Sequence, residues 1–206
     1  MHERRAWQRY RAQLEQRWDA TVSGTLRGKV LGLLGVGAVG ARVAETAQHF
    51  GLRVKGMTRG STACPFVDVY FYPHQLVEFL ADLDYLVCAL PDTPQTRDLL
   101  DRQALAALPQ GAVLVNIGRG TVLDEEALLE ALSEGRLASA ILDVFREEPL
   151  PLTHPFWTAP NLIITCHTAA PGPDYHREIV GVFAENYRRF FAGQPLLHLV
   201  DFDRGY

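Results

Sequence analysis

Cysteine is scarce in this sequence, and its few residues are not spaced to pair. Cys64, Cys88 and Cys166 are odd in number, lie far apart and include no C-x-x-C. That pattern offers no zinc-binding framework and fits reduced thiols, so a cytoplasmic protein without a metal is expected. Positive charge is also in short supply: 20 Lys and Arg stand against 24 Asp and Glu, a net charge of −4. A nucleic-acid partner held mainly through phosphates is therefore not expected. No apolar run approaches the roughly 20 residues that cross a bilayer, so no membrane association is expected either. The opening MHERRAWQRYRAQ is too polar for a secretory leader. Internal repeats and low-complexity tracts are missing as well. What is present is ordinary globular composition, 48% apolar and 21% charged. At 206 residues the chain is long enough for one good core and short for two.

The most informative stretch is Lys29 to Gly40, KVLGLLGVGAVG. An apolar run, Val30 to Leu34, leads into Gly35-Val36-Gly37-Ala38-Val39-Gly40, and a helical pattern follows from Ala41 to Phe50. Strand, glycine turn and helix in that order form the context in which G-x-G-x-x-G binds a dinucleotide. Gly35 permits the sharp turn, Gly37 lets a pyrophosphate approach the backbone, and Gly40 lets the helix pack closely. Unpaired amides and the positive end of the helix dipole then hold the phosphates without a basic side chain.

The rest of the chain alternates strands with helices, which predicts an α/β fold: a Rossmann-type, doubly wound parallel sheet with helices on both faces. The periodicity predicts a first helix over ~3 to 18 with Trp7, Tyr10, Leu14 and Trp18 on one face. Strands are expected at Leu52–Met57, Val67–Tyr72, Asp84–Leu90, Ala112–Ile117, Leu137–Val144 and Asn161–Thr165. Helices are expected around Leu76–Leu80, over Thr96–Leu108, from the Asp124 cap to Ser133, and over ~174 to 192 with Ile179, Phe183, Tyr187 and Phe190 in a stripe. The expected division is residues 1–24 as a connecting helix and linker, 25–170 as the dinucleotide-binding domain, and 171–206 as a C-terminal helix and tail.

Ligands in such a sheet lie outside the carboxyl ends of the strands. Arg119, Asp143, Glu148 and His167 all follow strand ends, a convergence that points to chemistry at that edge. The second strand ends in Thr58 and Arg59, with Ser61 nearby. No carboxylate is there to hold a ribose 2′-hydroxyl or repel a phosphate, and a guanidinium pairs with a phosphate bidentately, so NADP(H) is favoured over NAD(H).

Five ordered segments carry a family resemblance: Gly35-Val36-Gly37-Ala38-Val39-Gly40; Leu90-Pro91-Asp92-Thr93-Pro94-Gln95-Thr96; Asn116-Ile117-Gly118-Arg119-Gly120; Leu142-Asp143-Val144-Phe145 with Glu148-Pro149-Leu150-Pro151; and Thr165-Cys166-His167-Thr168-Ala169-Ala170. The chain resembles the D-isomer-specific 2-hydroxyacid dehydrogenases from about Thr25 onward, and within them the glyoxylate/hydroxypyruvate reductase A branch, whose ending Val200 to Tyr206 also resembles. The resemblance implies an NAD(P)-dependent oxidoreductase acting on a small 2-oxo or 2-hydroxy acid. It implies His167 as the acid/base, Glu148 as its carboxylate partner, and Arg119 as the residue that binds and polarises the oxo acid. A nearby carboxylate favours the imidazolium form. The implied cofactor set is Gly35, Gly37, Ala38, Val39, Gly40, Thr58, Arg59, Leu90, Pro91, Thr96, Ile117, Arg119, Asp143, His167 and Ala169, with Asp143 near the nicotinamide carboxamide. A homodimer through the nucleotide-binding domain is implied too. Cys166 stands where the family commonly has proline. The segment that builds most of the substrate domain in complete members is not in this sequence. A second reading therefore stays open: a nucleotide-binding module or interaction protein with little or no turnover.

Overall fold

The computed structural model describes residues 2–60, 62–169, 172–202 and 205. Ser61, Ala170, Asp203, Arg204 and Tyr206, named above, lie outside the described residues. Seven parallel strands form one sheet: β1 (Val30–Leu34), β2 (Arg53–Met57), β3 (Val69–Phe71), β4 (Tyr85–Cys88), β5 (Ala112–Asn116), β6 (Leu137–Leu142) and β7 (Leu162–Ile164). Their order is β3-β2-β1-β4-β5-β6-β7. The order reverses between β1 and β4, which opens a crevice there at the carboxyl edge.

Each central strand is apolar on both faces, as a doubly covered parallel strand must be. In β1, Leu31 and Leu33 enter one core and Val30 and Leu34 the other. The larger core lies under α3 (Leu76–Leu80), α4 (Arg102–Ala107) and α5 (Glu125–Ser133), where Phe79, Leu105, Leu128 and Leu132 meet Leu86 and Leu114. The smaller lies under α2 (Ala38–His49), where Ala44 and Ala47 meet Leu31, Leu33 and Val54. Beside α2 an apolar groove of about 660 Å³ stays open, lined in part by Leu26, Val39, Val43, Phe50 and Val87.

Three expectations are corrected. The helix expected over Thr96–Leu108 begins only at Arg102. Asp101 caps it by accepting the Ala104 N–H at 2.8 Å, and the preceding residues pair elsewhere: Leu100 forms a parallel bridge with Leu123. Strands and helices do not alternate throughout. The connections β2–β3 and β6–β7 hold no α-helix, and the latter has only a short 3-10 turn, Pro155–Thr158. The first helix, α1 (Ala6–Leu14), is shorter than ~3 to 18, and Trp18 lies beyond it, 92% exposed. The final helix α6 (Tyr175–Phe191) runs as expected and buries none of its residues. No helix among the described residues is long and apolar enough to cross a membrane.

Candidate active site

The turn after β1 has the geometry its glycines imply. Gly35 sits at φ 95°, a left-handed conformation that a side chain would strain. A Cβ on Gly40 would lie 2.1 Å from the Gly35 carbonyl oxygen, so the helix can approach the turn only as glycine. At Gly37 a Cβ would meet nothing within 4 Å; the space is open for a ligand. Ala38 and Val39 are exposed at the start of α2, which has neither a side-chain cap nor an acidic residue in its first turn. An anionic group therefore finds no competitor for that helix terminus. Thr58 and Arg59 follow β2 at the same edge, Arg59 exposed.

The loops beyond β4 and β5 press against this turn. A Cβ on Gly35 would lie 3.1 Å from the Ala89 carbonyl oxygen, and one on Gly118 2.5 Å from that of Leu90. Leu90, Pro91 and Ile117 are half-buried there. Thr96 is buried, and its hydroxyl donates to the Pro91 carbonyl oxygen at 2.7 Å and accepts the Thr93 N–H at 2.9 Å. Its hydroxyl bonds brace the loop, so its part in any cofactor site is to shape Pro91. Arg119 is exposed, with Nη1 donating to the Gly118 carbonyl oxygen at 2.7 Å. Asn116, fully buried, holds this loop from both ends: its Oδ1 accepts the Gly118 N–H and its Nδ2 donates to the Arg119 carbonyl oxygen. Asn116 entered the sequence reading only as part of a motif, although a polar residue closing the apolar strand AVLVN is a legible signal.

Glu148 and His167 do meet. His167 Nδ1 lies 2.7 Å from Glu148 Oε2, and the Phe145 N–H occupies Glu148 Oε1 at 2.8 Å. One carboxylate oxygen is thus fixed by backbone and the other by the ring. Burial works against ionisation of Glu148. The bonds from His167 and Phe145, with the charges of His167 and Arg119, outweigh it and hold the carboxyl below the usual carboxylate range. Nδ1 is the ring nitrogen that Glu148 engages, and the ring itself is half-exposed.

His167 has φ 52°, a conformation that costs a non-glycine residue of order 1 kcal/mol. Asp143 holds it there. The Asp143 carbonyl oxygen accepts the His167 N–H at 2.8 Å. Its carboxylate accepts the Thr165 hydroxyl at 2.5 Å and the N–H groups of Thr168 and Ala169, each at 3.0 Å. Asp143 is only 4% exposed. Burial opposes its charge, but those three donors and the His167 charge prevail and keep its carboxyl low. These bonds tie Asp143 to the His167 loop, a use that sequence reading did not foresee. Thr165, noticed only as part of a motif, supplies the shortest of them. Cys166 and Ala169, in the same loop, are exposed. Among the described residues no group of three His, Cys, Asp or Glu stands where it could hold a metal.

A seven-stranded parallel sheet with an open glycine turn at its switch point defines a Rossmann-type dinucleotide-binding domain, here with a His–carboxylate pair on the same edge. The chain belongs to the D-isomer specific 2-hydroxyacid dehydrogenase family: residues 1–169 match its NAD binding domain. It is 37% identical over 208 aligned residues to glyoxylate/hydroxypyruvate reductase A of Photorhabdus laumondii, an alignment covering 100% of this chain and 66% of that protein. The chain thus spans slightly less than two thirds of that relative. Among solved structures, it superposes with TM-score 0.90 and 40% identity on a D-isomer specific 2-hydroxyacid dehydrogenase of Xanthobacter autotrophicus Py2 in complex with NADPH and MES, covering 100% of this chain and 84% of that one. It superposes with TM-score 0.91 and 31% identity on the NADPH-dependent glyoxylate/hydroxypyruvate reductase of Sinorhizobium meliloti in complex with NADP and sulfate, covering 100% and 66%.

Proposed function

We propose that this chain carries the nucleotide-binding and acid/base half of an NADP(H)-dependent reductase of small 2-oxo acids, of the glyoxylate or hydroxypyruvate type. The observation that carries the reading is the 2.7 Å pair of His167 and Glu148 at the sheet edge that bears the Gly35–Gly40 turn. The turn, the start of α2, Thr58 and Arg59 would hold the dinucleotide. Bound, its reduced nicotinamide supplies a hydride. Arg119 binds the oxo acid and draws charge onto its carbonyl oxygen. His167 delivers a proton from Nε2 to that oxygen, and Glu148, bonded to Nδ1, steadies the ring's orientation for the transfer. Two features support NADP(H): no carboxylate follows β2, and relatives of similar fold were solved with NADPH or NADP.

Homodimer formation belongs to the same proposal. Trp7, Tyr10 and Leu14 on α1, with Trp18 after it, are exposed, and the groove beside α2 is apolar. Such surfaces seldom stay bare. The chain would act in the cytoplasm, with residues 171–206 belonging to a substrate domain. One observation favours the second reading, a nucleotide-binding module with little turnover. The apolar stripe of α6, including Phe183 and Phe190, is exposed, a face suited to an interaction partner.

The test is NADPH oxidation with glyoxylate and with hydroxypyruvate, beside NADPH and NADH binding by fluorescence, for wild type, His167→Ala and Arg59→Ala. Turnover abolished by His167→Ala is the expected result. Arg59→Ala is expected to weaken NADPH binding roughly tenfold or more, as loss of a charged hydrogen bond does, and to leave NADH binding unchanged. Tight NADPH binding with no wild-type turnover would favour the second reading.

A further inference from the structure

Arg146 lies in the turn that carries Glu148, yet its side chain points away from His167 into two other loops. Nε and Nη2 donate to the Leu123 carbonyl oxygen at 3.0 and 2.7 Å. Nη2 also pairs with the Asp98 carboxylate, and the Arg146 N–H donates to Glu125 Oε1 at 3.3 Å. Asp98 belongs to the loop after β4, the one that contains Pro91 and Thr96. Leu123 belongs to the segment after β5, which contains Arg119. These two loops are already laced together: the N–H of Asp98 donates to the Thr121 carbonyl oxygen, that of Leu100 to Val122 and that of Asp124 to Leu100. The guanidinium joins the third loop to that ladder. Its planar fork presents several donors in fixed directions, so it can hold two loops at once in a set geometry.

The backbone beside it leaves no slack. A Cβ on Gly120 would lie 2.0 Å from the Phe145 carbonyl carbon and 2.4 Å from the Arg146 nitrogen, so the Arg119 loop and the Glu148 turn touch main chain to main chain. Phe145 in turn donates the N–H that fixes Glu148 Oε1. On the far side Glu125 Oε2 faces His154 Nε2 at 3.4 Å, which ties the end of the same connection to the start of α5.

We infer that Arg146 is a positioning residue: it clamps the loops after β4, β5 and β6 into one unit and thereby sets where Glu148 presents its carboxylate to His167. This rests on the reading of Glu148 and His167 as the acid/base pair. Arg146 itself touches neither the ring nor the open space around the glycine turn.

The experiment compares wild type, Arg146→Ala, Glu148→Ala and the double variant. Two readouts are taken: steady-state NADPH oxidation, and long-range 1H–15N spectra of the His167 ring, which report the tautomer and need no turnover. Arg146→Ala is expected to lower kcat on the order of tenfold to a hundredfold, the size of effect a misplaced catalytic group produces, with NADPH affinity unchanged. In the Glu148→Ala background the same substitution is expected to add nothing, and free guanidinium is expected to restore part of the Arg146→Ala loss. Asp98→Asn, which leaves the bonds to Leu123 intact, is expected to fall between. The Arg146→Ala ring spectrum is expected to move toward that of Glu148→Ala. Losses that multiply in the double variant, or an Arg146→Ala ring spectrum identical to wild type, would overturn the inference. A Glu148→Ala spectrum identical to wild type would instead sink the pair itself, and the positioning role with it.

Discussion

Replacing Asp143 with asparagine tests the loop architecture directly. The side chain keeps its shape, but one carboxylate oxygen becomes an NH2 group. Both oxygens are engaged, Oδ1 with the Thr165 hydroxyl and the Thr168 N–H, Oδ2 with the Ala169 N–H. Whichever way the amide turns, a backbone N–H then faces another donor in a site that is 4% exposed. A hydrogen bond to a charged group contributes about 1.5–3 kcal/mol, so the variant is expected to lose about 2 kcal/mol. For a chain of this size that lowers Tm by about 4–8 °C, readable by scanning calorimetry at neutral pH. The loop release also frees His167 from φ 52°, so turnover is expected to fall further than stability alone explains. The pH dependence has a definite sign. The Asp143 carboxyl is depressed in the fold, so its stabilisation is fully present above the ordinary carboxylate value of about 4. It is lost as pH falls through the lower folded value. The gap between wild type and Asp143→Asn is therefore expected to close on acidification below about pH 4. A variant with wild-type Tm at pH 7, or a gap that widens in acid, would refute the account.

Gly37→Ala is expected to leave the fold intact, because nothing lies within 4 Å of the added carbon. It is expected to weaken NADPH binding about tenfold, roughly 1.4 kcal/mol, by fluorescence titration. Gly120→Ala is expected to do the reverse damage: its Cβ meets the Phe145 backbone, and such overpacking costs about 1–3 kcal/mol or more. A urea midpoint lowered relative to wild type is the check, with the loss of turnover exceeding the loss of NADPH affinity.

Much of the fold is legible because local rules and global packing agree in it. The glycine turn needs its residues for reasons that are local, and β1 needs apolar side chains on both faces wherever the remaining strands lie. Where the reading erred, a distant partner decided. Thr96–Leu108 has helical composition throughout, but Leu100 gains more from pairing with Leu123 in a buried position than from extending α4, and Asp101 supplies a cap at the later start. The β6–β7 connection departs from the general alternation of strands and helices, holding only the 3-10 turn Pro155–Thr158. Its prolines, Pro149, Pro151, Pro155 and Pro160, withhold backbone donors and disfavour a helix there.

The candidate site divides in the same way. His167, Glu148, Arg119 and Asp143 were identifiable by type and by position after strand ends, since parallel strands deliver all their carboxyl ends to one edge. Chain order alone thus determined which residues share the edge, the place of the dinucleotide turn and the family. Tertiary structure alone decided how those residues are used: which oxygen of Glu148 faces the ring, that Asp143 turns inward to hold His167 in a left-handed conformation, and that Arg146 ties three loops together. The physical reason is range. Turn and strand preferences act over a few residues and are written in consecutive positions. A hydrogen bond between Arg146 and Leu123, or between Asp143 and Ala169, joins loops whose approach is set by the packing of the whole sheet.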